Sequence, residues 1–112
     1  RQKPFSIRTM LDAGIPVALS SGFHPVIGRT LSPQLTWMLA CSQFGFTPEE
    51  ALTALTLTSA LACGCYNVVG SIEIEKQADL FLARTNNLYD LVYYTSANFI
   101  TKIIKNGVLL DF

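Results

Sequence analysis

The sequence predicts an α/β chain: a helical first part holding one short buried strand, followed by a small β-layer. Three observations carry this. Ile15-Pro16-Val17-Ala18-Leu19 is a compact apolar run without polar alternation, as in strands buried on both faces of a parallel sheet. Thr47-Pro48-Glu49-Glu50 announces a capped helix, and Asn106-Gly107 between two apolar runs signals a tight hairpin. Of the 112 residues, 50% are apolar and only 14% charged, too few charges for a solvated or disordered tail, so this surface must be buried against something.

The elements follow in order. Around residues 4–13, Phe5, Ile7, Met10 and Leu11 fall at helical spacing, and Gly14 serves as a stop. The strand Ile15 to Leu19 tolerates Pro16 at its start, where no ladder donor is needed. Ser20-Ser21-Gly22-Phe23-His24-Pro25 then forms a polar turn at the strand's carboxyl end, where parallel α/β architectures bind ligands. Residues 31–44 return to helical spacing, with Leu35, Met38 and Leu39 on one side and Trp37 and Cys41 beside it. Thr47 can cap the next helix, with Pro48 at its first position and Glu50 completing a capping box. One helix over residues 51–62 should present Ala51, Ala54, Leu55, Leu61 and Ala62 on a buried face, ending at Gly64. Beyond Tyr66, Val68-Val69, Ile72, Ala78 to Leu82, Thr101 to Lys105 and Val108 to Leu110 are short apolar runs between turns. Leu88 to Tyr94 suits helix or strand equally. The division falls between residues 1–65 and residues 66–112.

Eight basic residues balance eight acidic ones and no basic run exists, which argues against a nucleic-acid groove. The uncharged stretches 30–48 and 51–72 are broken by Pro33, Gly45 and Gly64, so no membrane span is expected. The chain opens on Arg1 without a secretion signal and reads as part of something longer, with a cytoplasmic location. Cys41, Cys63 and Cys65 lack the spacing of a metal or redox site and are expected to be buried or inert. Trp37, Phe44, Phe46, Tyr93 and Tyr94 are assigned to the core.

The inventory for catalysis is thin. His24 is the one histidine, and no carboxylate lies between Asp12 and Glu49. A hydrolytic zinc or iron site needs about three such ligands, and a Ser/His/Asp triad needs an acid to orient the histidine. The chain alone is therefore expected to hold no metal and no catalytic residue.

Ala13-Gly14-Ile15-Pro16-Val17-Ala18-Leu19-Ser20-Ser21, Thr30-Leu31-Ser32, Thr47-Pro48-Glu49-Glu50-Ala51-Leu52 and Gly70-Ser71-Ile72-Glu73 through Lys76-Gln77-Ala78-Asp79-Leu80 resemble the carboxyl-terminal part of the imidazolonepropionases, within the metal-dependent amidohydrolases. The resemblance covers nearly the whole chain. It implies the last strand and helices of a (β/α)8 barrel plus the carboxyl-terminal part of a small β-domain. It also implies hydrolytic opening of 4-imidazolone-5-propanoate to N-formimino-glutamate in histidine degradation, with zinc or iron held mostly by histidines of earlier strands. The implied partners are that small-molecule substrate and the rest of the barrel, and a homodimer is left open.

The departures from the family pattern bear on the site. Where the family's last strand ends in Asp-Phe-Asn-Pro-Gly, with the Asp on the metal and activating water, this chain has Gly22-Phe23-His24-Pro25-Val26. Gly22 supplies neither ligand nor base. His24 stands in place of the Asn and is the candidate substrate-binding residue; the alternative is a solvent-facing loop histidine. Glu75 stands where the family has Gly in a turn, which is strained if that turn requires positive φ. Two functions remain: part of an imidazolonepropionase-like hydrolase, inactive alone, or a non-catalytic remnant serving as a structural or interaction module.

Overall fold

A computed structural model describes residues 6–22, 32–94 and 97–110. Its first element is helix α1 (Ile7–Asp12), where the Ser6 hydroxyl accepts the Thr9 N–H at 3.3 Å and Gly14 at φ 76° ends the turn. Helix α2 (Pro33–Phe44) begins the same way: Ser32 caps Leu35 N–H, Pro33 occupies the first turn, and Gly45 closes it in the left-handed region. Helix α3 (Pro48–Leu55) carries the expected capping box, with Thr47 Oγ1 accepting from Glu50 N–H and Glu50 Oε1 accepting from Thr47 N–H.

The helix expected over residues 51–62 breaks. Thr56 at φ −111° and ψ −83° separates α3 from helix α4 (Leu57–Ala62). Its Oγ1 donates to Leu52 O at 2.7 Å, the back-bonding by which a threonine competes with the helical ladder. Of the face expected to be buried, Ala51 and Ala54 are buried and Leu55 is half-buried, while Leu61 and Ala62 beyond the break are exposed and Ala60 is buried instead.

After α4 the chain turns through residues 63–79. Val68, Val69 and Ile72 join no strand, a correction to the β-rich reading of that stretch. Three strands follow: β1 (Leu80–Ala83), β2 (Ile100–Lys105) and β3 (Val108–Leu110), in an antiparallel sheet of order β1-β2-β3. Between β1 and β2 lies helix α5 (Leu88–Tyr93), capped by Asn87, which resolves the ambiguity of that run. Asn106 and Gly107 turn the hairpin with φ of 52° and 76°, as their sequence demands. The turn is also tied back to β1: Gly107 N–H donates to Ala78 O, and Asp79 accepts from Asn106 N–H and pairs with Lys105.

Ile15 to Leu19 is without regular secondary structure and pairs with no strand among the described residues. Ile15 is exposed, and Val17 and Leu19 are half-buried against the helices. A strand buried on both faces needs neighbours to complete its ladder, and the described residues provide none.

The core lies where α2, α3 and α5 meet. It consists of Trp37, Ala40, Phe46, Ala51, Ala54 and Leu91, and Trp37 Nε1 is satisfied by Pro48 O at 3.0 Å. On α2, Leu35, Met38 and Leu39 are half-buried, so its innermost face is Trp37 and Ala40 rather than those three. Phe44, Tyr93 and Tyr94 are exposed, contrary to their expected core role. Cys41 and Cys65 are half-buried and Cys63 is exposed, so of the expected buried or inert thiols Cys63 is not a buried one; all three thiols are free.

Candidate functional site

The candidate site begins where the segment from Ile15 ends at Leu19. Leu19 N–H donates to Ala54 O at 3.1 Å, and the Ser59 hydroxyl lies 2.7 Å from Leu19 O and 2.6 Å from Ala54 O. The end of the segment is thus fastened to the break between α3 and α4. Three residues on, Gly22 N–H donates to Ser20 Oγ at 3.2 Å, closing a local serine turn. Ser20, Ser21, Leu19, Leu55, Ser59 and Cys63 line an open cleft of about 450 Å³.

Gly22 has φ 59°, and a Cβ built there would meet nothing within 4 Å. The position therefore has room for a side chain but supplies none. His24 lies outside the described residues, as do Phe23, Pro25, Val26, Ile27 and Leu31. The described cleft offers hydroxyls, backbone amides and one thiol, with no carboxylate or imidazole to move a proton. Among the described residues, no group of three or more His, Cys, Asp or Glu side chains is placed to hold a metal ion. This donor set does not fit a zinc or iron centre, and no chemical step is derived through one.

Two polar clusters elsewhere stabilise turns and helix ends. Arg8 on α1 makes a bidentate pair with Glu50, at 2.7 and 2.8 Å, and also reaches Gly45 O and Asp12. The Arg8 hydrogen bonds and the Thr47 N–H hold the Glu50 carboxyl down at about 2, and Arg8 is raised above its ordinary range by the same contacts. In the turn after α4, the Lys76 ammonium, 12% exposed, donates to Ser71 Oγ and pairs with Glu73, while Ser71 donates to Glu73. Lys76 and Ser71 together lower the Glu73 carboxyl. The bond from Asn106 N–H, followed by that from Lys105, lowers Asp79. Burial, with a smaller push from Glu49, raises the Cys41 thiol, which suits an inert side chain.

Neither the Arg8–Glu50 pair nor the Ser59 anchor was anticipated from sequence. A serine inside an apolar helical stretch carries no signal of a partner 40 residues away. Glu50 did carry one, but for the cap alone.

The model of the amidohydrolase family matches residues 3–110. The chain belongs to the amidohydrolase family. Its similarity to imidazolonepropionases is extensive: 39% identity over 105 residues with that of Geobacillus kaustophilus, and 42% over 103 residues with that of Phocaeicola vulgatus. These alignments cover 94% and 92% of this chain but 25% of each relative, so the chain spans about a quarter of their length, which fits a segment of a longer amidohydrolase. Among solved structures, an amidohydrolase from Thermotoga maritima matches with TM-score 0.70 at 27% identity, over 94% of this chain and 25% of that one. A molinate hydrolase structure shares the fold with TM-score 0.66 at 24% identity, over 92% of this chain and 25% of that one. In this amidohydrolase segment, the motifs that carry the family resemblance perform identifiable structural work. Thr47 to Glu50 starts α3, and Ser71, Glu73 and Lys76 hold the turn ahead of the sheet.

Proposed function

We propose that the chain is part of an imidazolonepropionase-like cyclic amidohydrolase that opens 4-imidazolone-5-propanoate by hydrolysis to N-formimino-glutamate in histidine degradation, in the cytoplasm. The observation that carries this reading is the 39% to 42% identity with imidazolonepropionases over more than nine-tenths of the chain. In this reading residues 1–65 contribute the last strand and following helices of a (β/α)8 barrel, and residues 66–112 contribute to its small β-domain. The strand Ile15 to Leu19 gains its ladder partners from the rest of the barrel, which also brings the ligands for zinc or iron. That metal supplies an activated water when bound.

The role of this chain's own residues is to shape and orient. Ser20 to Gly22 form one wall of the substrate cleft, and His24 binds the small-molecule substrate through its imidazole in place of the family's amide. Without the remaining barrel the chain is inactive. A second reading, a non-catalytic remnant retained for structure or interaction, is favoured by Gly22 itself, which has no side chain where the family carries its acid.

Ring-opening of 4-imidazolone-5-propanoate by the longest natural protein containing this chain, with metal content measured alongside, separates the two. Gly22→Asp is the informative variant, because its Cβ meets nothing within 4 Å and Asp tolerates a φ of 59° better than most residues. A positioned general base is worth roughly 10²- to 10⁴-fold. Activity that rises by that order only in Gly22→Asp identifies a remnant with an intact scaffold. Activity already present with Gly22 identifies a working hydrolase that draws its base from another group. No activity in either protein overturns the hydrolase reading.

A further inference from the structure

We propose that Ser59 is a positioning residue for the cleft: its hydroxyl holds the Leu19 carbonyl and so fixes where Ser20, Ser21 and Gly22 stand. The inference rests on the reading that the residues after Leu19 line the reacting centre. Three polar atoms meet at this point: Ser59 Oγ, Leu19 O at 2.7 Å from it and Ala54 O at 2.6 Å. Ala54 O is already served by Leu19 N–H at 3.1 Å. Ala54 O can accept two bonds, so the one hydroxyl proton is shared between the two carbonyls, and the share given to Leu19 O is the one that holds the segment. Leu19 is then held through both its N–H and its C=O, one residue before the polar turn. Ser20 passes the constraint on by accepting from Gly22 N–H.

The arrangement depends on the Thr56 break. Thr56, with φ −111° and ψ −83°, separates α3 from α4, and Ser59 on α4 sits within reach of both Ala54 O and the segment end. Ser59 also lines the cleft beside Ser20 and Ser21, so the anchor lies at the wall it supports. Small displacements of positioned groups lower turnover more than binding, because the reacting geometry is stricter than the bound one.

The test compares Ser59→Ala, Ser59→Thr and the natural residue in the longest natural protein, with hydrogen exchange of the amides at residues 19–22 as the readout that needs no activity. Ser59→Ala is expected to speed that exchange by about three- to tenfold, the range of one lost hydrogen bond, while α2 stays protected. Ser59→Thr, which keeps the hydroxyl, is expected to restore the natural rate. In whichever of the Gly22 and Gly22→Asp backgrounds turns over, Ser59→Ala is expected to lower kcat by roughly tenfold with KM changed less than about twofold. Unchanged exchange at residues 19–22, or a rise spread equally over α2, overturns the proposal, as does unchanged kcat with the local exchange raised. If Ser59→Ala fails to fold, Ser59→Cys, close in volume and a weak donor, serves for the same comparison. A local exchange response without ring-opening in any background leaves the Ser59 anchor standing and defeats only the hydrolase reading.

Discussion

Glu75 shows how one residue can depart from its local rule. It has φ 74°, in the left-handed region where a Cβ crowds the following carbonyl. The strain expected from the sequence is therefore present in the fold. Glu75→Gly is predicted to stabilise the chain by about 1 kcal/mol, read as a shift in the midpoint of denaturant unfolding at unchanged slope. Gly70 is the opposite case. Its φ is 103°, and a Cβ there would lie 2.6 Å from Ala60 Cβ and 3.2 Å from Thr56 O, so backbone and side chain both refuse it. Gly70→Ala is predicted to destabilise by about 2 kcal/mol or more, with a lower midpoint by the same measurement. A loss below about 0.5 kcal/mol would show that the turn after α4 yields to the methyl group.

Among the elements, α3 was the most legible because its signals are local. Thr47, Pro48 and Glu50 need only one another, and the structure contains each bond they imply. The hairpin turn at Asn106-Gly107 was legible for the same reason. What was not legible depends on distant partners. The break at Thr56 sits in a run of Ala, Leu and Thr with no Gly or Pro, and its Ser59 anchor needs Leu19 to be in place. Ile15 to Leu19 reads as a strand because its side chains suit burial on two faces, yet the described residues give it no neighbour to pair with. The polar turn after Leu19 was legible, and Ser20 and Ser21 line the cleft, whereas His24 falls outside the described residues. The α1 to α3 contact yields a pH prediction. Glu50 titrates at 4.5 ordinarily and at about 2 in the fold, so the Arg8–Glu50 contribution is fully present above 4.5 and fades as the pH falls towards 2. The melting-temperature gap between the natural chain and Glu50→Gln is predicted to be largest near neutral pH and to close across that window. A gap constant with pH would mean that the cap and packing, rather than the charge, carry the Glu50 contribution.

At the scale of the whole molecule, the buried core is thin for the apolar content. Among the described residues the buried hydrophobic set is Trp37, Phe46, Leu91 and four alanines, and no large side chain falls below 2% exposure. Ile72, Ile74 and Tyr93 are 85%, 95% and 80% exposed, and Val108, Leu109 and Leu110 leave β3 exposed along the sheet edge. The radius of gyration is 15.1 Å, against about 13 Å for a compact domain of this length. Half of the chain is apolar, so its composition asks for more burial than these contacts give. Among the described residues β3 has no partner on its outer edge, which adds backbone donors and acceptors that another strand can engage. The 112-residue chain by itself is therefore predicted to associate: its sedimentation coefficient should rise with concentration, and a dye that binds apolar surface should fluoresce. Charged substitution of Ile72 and Ile74, which are almost fully exposed, should weaken both effects without lowering the helix content. A monomer with concentration-independent sedimentation, no dye binding and a sharp two-state transition would show that the small helical core and three-stranded sheet suffice. In that case the exposed isoleucines are ordinary surface residues, and the apolar faces need no further chain to cover them.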